Sequence, residues 1–202
     1  MSPEALFRYG LLAYFLVYFM LAFVWRSVIV YRRTRVNPFV LPSSDDAYGY
    51  VGRAFKVVVL GCAMVVLFIA FGRDAPTWLG AYAALNSWVV SSVGWLLLCG
   101  SLLWLLVAQA HMGASWRIGI DAQRSTELVQ RGLFSVSRNP IFLAMRANVL
   151  GLFLVFPAAS TLALLVAGEI LMQVQVRLEE QHLLQLHGQA YAPYCSRVRR
   201  WL

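Results

Sequence analysis

Charge is what this sequence has least of. Only 13% of its 202 residues are Asp, Glu, Lys or Arg, and just nine are acidic. A soluble domain carries about a quarter charged residues, so an ordinary water-facing surface is excluded. Cysteine is scarce as well. Cys62, Cys99 and Cys195 are far apart and form no C-x-x-C pair, which argues against a disulfide framework or a zinc site. The three histidines, His111, His182 and His187, lack zinc or haem spacing and read as surface residues, so no metal is expected. There is no internal repeat and no low-complexity segment.

What fills the gap is apolar: 60% of the residues, gathered in blocks. A helix crossing about 30 Å of hydrocarbon needs roughly 20 such residues. Leu6–Val30 meets that length and reads as a first span, since Arg-rich sequence follows it where a signal peptide would be cleaved. Residues 31–53 hold Arg32, Arg33, Arg35, Pro38, Pro42 and the run Ser43-Ser44-Asp45-Asp46, and read as a loop. Ala54–Phe71 is the second span and Gly72–Pro76 a tight break. Trp78–Ser87 reads as interfacial, because Trp and Tyr favour that depth. Trp88–Ala108 is the third span. Pro140–Phe156 and Ala158–Val176, separated at Pro157, form a hairpin of spans four and five, and Arg177–Leu202 is a helical tail. The expected fold is thus all-α: an integral membrane protein with about five transmembrane helices. Residues 1–110 would hold three spans, and residues 111–202 the hairpin, the tail and the chemistry.

The net charge of +8 would suit nucleic acid, but the basic residues stand at the ends of apolar runs, so no nucleic-acid partner is expected. In the five-span arrangement 13 of the 17 basic residues fall on one side, and Arg8 and Arg73 on the other. Basic loops stay cytoplasmic, which places the N-terminus outside and the tail inside.

Two polar clusters flank the hairpin. The first runs Arg131-Gly132-Leu133-Phe134, then Ser137-Arg138-Asn139-Pro140. A proline opening a helix leaves free N–H groups after it, and beside Arg138 these suit a carboxylate or phosphate. Against this stands a plain connector with topogenic arginines. The second is Arg177-Leu178-Glu179-Glu180, followed by Leu183, Gly188, Tyr191 and Tyr194. Charge pattern alone favours a solvated helix end with Arg177 pairing Glu180 at i, i+3. A ligand edge is the alternative, with carboxylates for an ammonium and the arginine for a carboxylate.

Read together, the clusters resemble a known family. Gly132-Leu133-Phe134 through Arg138-Asn139-Pro140-Ile141-Phe142 is similar to the G-x-[YF]-x-x-x-R-[HN]-P-x-[YF] motif of isoprenylcysteine carboxyl methyltransferases and their bacterial, phospholipid methyltransferase-like relatives. Glu179-Glu180-x-x-Leu183, Gly188, Tyr191, Tyr194 and Val198 resemble that family's second motif. The resemblance covers roughly Trp116–Leu202 and implies a membrane methyltransferase with S-adenosylmethionine at the cytoplasmic face. On it, Gly132, Arg138, Asn139 and Pro140 would form the cofactor pocket with Glu179 and Glu180. Glu180 would take the cofactor's amino group and Arg177 a substrate carboxylate, so that Arg177 and Glu180 carry catalysis. The acceptor would be a lipophilic molecule or lipid of the bilayer, such as an isoprenylcysteine-like carboxylate. Asn139 replaces the commoner histidine, Ala144 a frequent glycine, and His187 an aromatic. The alternatives are an NADPH-dependent membrane reductase of the sterol-reductase kind, which would need more phosphate-binding basic residues, and a non-enzymatic membrane protein.

A last expectation comes from hairpin geometry. Arg146 lies 11 residues before Pro157 and Glu169 lies 12 after it, so both stand about 17 Å from the turn at 1.5 Å per residue. Intramembrane charges need partners. The two are expected to form an ion pair or to line a polar cavity, where they would meet substrate together with Tyr191.

Overall fold

A computed structural model describes residues 3–38, 45–72, 75–117 and 128–202. The described residues form helices and no strand. Helix α1 (Pro3–Phe19) passes through a widened π turn at Met20–Trp25 into α2 (Arg26–Thr34). There follow α3 (Ala47–Phe71), the short α4 (Ala75–Trp78), α5 (Trp88–Met112), α6 (Pro140–Val155), α7 (Ala159–His187) and α8 (Tyr191–Arg197). Pro42, Ser43, Ser44, Arg73 and Asp74 lie outside the described residues.

Several helix ends lie beyond the hydropathy limits, for local reasons. Helix α2 continues through Tyr31 to Thr34 and stops at Arg35 in the left-handed region, φ 59°. Helix α3 begins at Ala47, not Ala54, because the Asp46 carboxylate accepts the Gly49 N–H at 2.9 Å and so caps it. The predicted loop at 31–53 is therefore shorter than its polarity suggested. Ser87 caps α5 in the same way, accepting from Val90 N–H at 3.3 Å. Pro140 opens α6 as expected. Helix α7 carries the fifth apolar run and the start of the tail without a break, ending at Gly188, φ +46°. The Trp78–Ser87 stretch folds back on the α6–α7 turn: Ala159 N–H donates to Gly80 O at 2.8 Å and Tyr82 N–H to Pro157 O at 2.8 Å. Trp78 and Trp88 are almost fully exposed, as suits side chains anchored at an interface.

Four helical stretches are long and apolar enough to cross a bilayer: Ala5–Thr34, Ala47–Phe71, Trp88–Ser115 and Ala159–Arg197. Helix α6 has 16 residues, about 24 Å, and falls short of that length by itself. Large side chains such as Leu60, Met64, Leu96, Leu103, Val166 and Ile170 are exposed. Apolar surface on this scale belongs against lipid. The chain is a multi-pass membrane protein.

The helices alternate in direction. Arg8 at the start of α1 donates to Gly72 O at the end of α3, at 3.0 Å. Arg26 at the start of α2 donates to Gly113 O past the end of α5, and Tyr48 near the start of α3 donates to Leu178 O near the end of α7, at 3.4 Å. Helices α5 and α6 approach most closely, where Gly94 faces Gly151. A Cβ on Gly94 would lie 2.7 Å from Val155 N and 3.0 Å from Gly151 O. Small residues allow this because helix association in lipid relies on close van der Waals packing. The core holds Leu11, Val65, Ile69, Leu98, Leu152 and Val155.

Inside it Asn148 Nδ2 donates to Tyr14 Oη at 2.6 Å and Ser101 Oγ at 3.2 Å. The Tyr14 and Ser101 hydroxyls both donate to Leu98 O, at 2.6 Å and 2.8 Å.

Candidate functional site

The approach to α6 is a single 3-10 turn, Gly132–Ser135, pinned from two sides. His111 accepts the Leu133 N–H through Nδ1 at 3.1 Å. Tyr194 of α8 donates its hydroxyl to Phe134 O at 2.6 Å. Gly132 sits at φ +61°, and any Cβ there would run into the His111 ring, so both backbone and space require glycine. His111 is thus a structural acceptor and not a free surface histidine. His182 and His187 are half-buried, and His187 Nε2 is buried without a hydrogen bond.

Beyond that turn the two sequence clusters meet. Ser137 is fully buried; its hydroxyl accepts the Asn139 N–H at 3.2 Å and donates to Arg200 O at 3.4 Å. Asn139 precedes α6 but its side chain does not cap it. Its Nδ2 instead donates to Glu180 Oε1 at 2.9 Å and to Arg200 O at 3.2 Å. Arg138 Nε lies 3.4 Å from the same Oε1. That contact is an ion pair without hydrogen-bond geometry, so Nε is buried with no hydrogen bond. Arg200 completes the cluster, donating Nε and Nη2 to Glu180 Oε2 at 3.1 Å and 2.9 Å. The Glu180 hydrogen bonds raise the Arg200 guanidinium above its usual pKa, since they favour its charged form.

This corrects one expectation. The i, i+3 pair between Arg177 and Glu180 is not formed. Arg177 is exposed and turns back along α7, donating Nη1 to Gln173 O at 2.8 Å and Oε1 at 2.7 Å. Glu180 instead points into the bundle, its side chain 10% exposed, where three residues already engage it. Glu179 is half-buried and makes no hydrogen bond among the described residues. Of the predicted residues the structure therefore brings Arg138, Asn139, Pro140 and Glu180 together, with Gly132 setting the turn before them. Tyr191, buried, stacks near Tyr194 with ring centroids 5.9 Å apart. Arg177 stands apart from the cluster.

Deeper along the hairpin the expected ion pair is present, Arg146 Nε to Glu169 Oε2 at 2.7 Å. Gln173 Nε2 donates to Glu169 Oε1 at 2.8 Å, so a polar file leads from Arg177 through Gln173 and Glu169 to Arg146. The Arg146 guanidinium also lies 4.3 Å from the centroid of the Trp201 ring.

Arg200 and Trp201 were not singled out by sequence reasoning, and Ser137 was named in the first cluster without a role of its own. Arg200 counted there only as a topology charge. Its signal was a basic pair followed directly by an aromatic residue, Arg199-Arg200-Trp201, after a helix. Residues 118–127, including Asp121 and Arg124 of the first cluster's approach, lie outside the described residues.

No curated protein matches the chain. The profile of the phospholipid methyltransferase family matches residues 88–190. That match takes in α5, the turn at Gly132, α6 and α7, and with them Arg138, Asn139 and Glu180. With half of its length covered, the chain belongs to the phospholipid methyltransferase family, the membrane methyltransferases that include the isoprenylcysteine carboxyl methyltransferase-like proteins.

Proposed function

We propose that the chain transfers a methyl group from S-adenosylmethionine to a lipophilic acceptor, at the bundle end that carries Arg138 and Glu180. The observation that carries this reading is the 2.9 Å contact between Asn139 and Glu180, 41 residues apart. It joins the two family-like motifs in one buried cluster at a helix-bundle mouth.

The residues present fit the amino-acid end of the cofactor. Two guanidiniums, Arg138 and Arg200, share the single carboxylate of Glu180. One positive charge is left over, and Arg138 Nε is a buried donor without a hydrogen bond. That surplus suits a ligand carboxylate. Glu179, without a hydrogen bond of its own, suits a ligand ammonium. S-adenosylmethionine, when bound, supplies a methyl group already activated on a sulfonium. The protein's task is then alignment and exclusion of water more than acid–base work. Glu180 fixes Arg138 and Arg200, and Asn139 ties both motifs together. Arg146 and Glu169 would meet the acceptor, Tyr191 would close the space between them and the Glu180 cluster, and Arg177 at the mouth would take an acceptor carboxylate. For an amine or phenol acceptor Glu179 would take the proton.

Topology follows the same reading. Counting α6 as a fifth crossing, with most of the basic residues at one end, this reading gives an extracytoplasmic N-terminus and a cytoplasmic site in a bacterial inner membrane. A reporter fused after Leu202 should read as cytoplasmic, and an external reading would overturn this orientation. The function is tested by incubating purified protein with methyl-labelled S-adenosylmethionine and a membrane lipid extract. Label in a lipid-soluble product whose mass rises by one methyl supports the proposal. Absence of label in every lipid fraction counts against it.

A further inference from the structure

We propose that Arg200 and Trp201 are positioning residues of two different sub-sites, Arg200 for the cofactor and Trp201 for the lipophilic acceptor. This rests on the methyltransferase reading above.

The segment after α8 is tied down by its backbone. Arg199 O accepts the Arg138 N–H at 2.9 Å, and Arg200 O accepts from Asn139 Nδ2 and Ser137 Oγ. Val198 leaves the helix with extended backbone, φ −116° and ψ 130°. Held beside the start of α6, the two neighbours reach different partners. Arg200 reaches Glu180 on α7 and supplies both hydrogen bonds to Oε2. Trp201 lies over Arg146 on α6, six residues beyond Pro140 and so about 9 Å farther along the helix.

Each contact has a distinct consequence. Arg138 and Asn139 both act on Oε1. Without Arg200, Oε2 loses its donors and the carboxylate can rotate, carrying Arg138 away from a ligand carboxylate. The Arg146–Glu169 pair is about one-third exposed on both sides. The indole face covers the guanidinium and holds it where it stands. Removing the ring leaves Glu169 as the anchor of the guanidinium, at the depth where an acceptor head group would enter. The two residues act through Glu180 and Arg146 and touch no reacting atom.

The test uses full-length protein in detergent or nanodiscs with Arg200→Gln, Arg200→Lys, Trp201→Ala and Trp201→Phe. Affinity for S-adenosylmethionine is read by calorimetry, the amount of membrane lipid extract giving half-maximal methyl transfer by label incorporation, and folding by thermal unfolding. Arg200→Gln should weaken cofactor binding about tenfold or more, with Arg200→Lys between it and the unaltered protein. Trp201→Ala should raise the half-saturating extract about fivefold while cofactor affinity holds, and Trp201→Phe should restore most of the loss. Parallel loss of both parameters in step with the melting temperature would overturn the proposal, because a merely structural strap behaves that way. Unchanged parameters in all four variants would overturn it too, and if the Gln and Ala variants do not fold, the Lys and Phe variants decide alone. Failure of the unaltered protein to bind S-adenosylmethionine would instead sink the methyltransferase reading itself.

Discussion

Two buried polar clusters share helix α6, and they are built on opposite plans. Asn148, midway along, joins Tyr14 and Ser101 in a neutral network in which the two hydroxyls both end on Leu98 O. At the helix start, nine residues away, Arg138, Asn139, Glu180 and Arg200 form a charged cluster that is not closed. It has two cations for one anion, a buried guanidinium nitrogen without a hydrogen bond, and an unengaged carboxylate next door at Glu179. A buried hydrogen-bond network that is complete locks helices together. One left with surplus charge costs stability unless something else binds there. The comparison thus separates architecture from chemistry along a single helix.

The sharpest way to break that comparison is Glu180→Ala. It strands two guanidiniums and an amide, and removing one partner of a buried ion pair costs about 3–5 kcal/mol. Chemical unfolding in mild detergent should show a loss of that order, and a loss below about 1 kcal/mol would mean the cluster is not held as described. Asn148→Leu should cost less, about 1–2 kcal/mol by the same measurement, since hydrogen bonds inside membrane proteins are modest. Cofactor affinity should be untouched by it. Were Asn148→Leu to abolish binding, the neutral network would no longer be purely architectural. Glu169→Gln keeps a hydrogen-bond acceptor for Arg146 on a side chain about one-third exposed. Its expected cost is about 1 kcal/mol in melting experiments. Ser87→Ala removes only the cap on α5, an exposed contact at 3.3 Å. It should cost about 0.5 kcal/mol, and an effect above 2 kcal/mol would point to a role beyond capping.

Much of the fold was legible because the bilayer imposes a length on apolar runs. Leu6–Val30, Ala54–Phe71, Trp88–Ala108 and Ala158–Val176 all lie largely or wholly inside helices of spanning length, and Pro140 and Pro157 bound α6. Helix ends were less legible. Hydropathy stops where polarity begins, whereas Asp46 starts α3 through its side-chain cap and Gly188 stops α7 through its backbone conformation, and polarity reports neither. Arg146 and Glu169 could be paired by counting residues from Pro157 because a hairpin converts sequence distance into depth. Arg138 and Asn139 could be brought near Glu180 because their clusters flank one hairpin and resemble family motifs, whereas Arg200 could not be linked at all. It comes from a segment whose path depends on where Gly188 and Val198 turn the chain, and no periodicity encodes that.

The most direct test of the account is calorimetric titration of S-adenosylmethionine into the purified protein and into Glu180→Gln, which keeps the side-chain shape and removes the charge that organises the cluster. The account predicts saturable binding by the unaltered protein and affinity weaker by about tenfold or more in the variant, the scale of a lost charge-assisted contact. Equal affinity in both proteins, or no binding by the unaltered one, would contradict it.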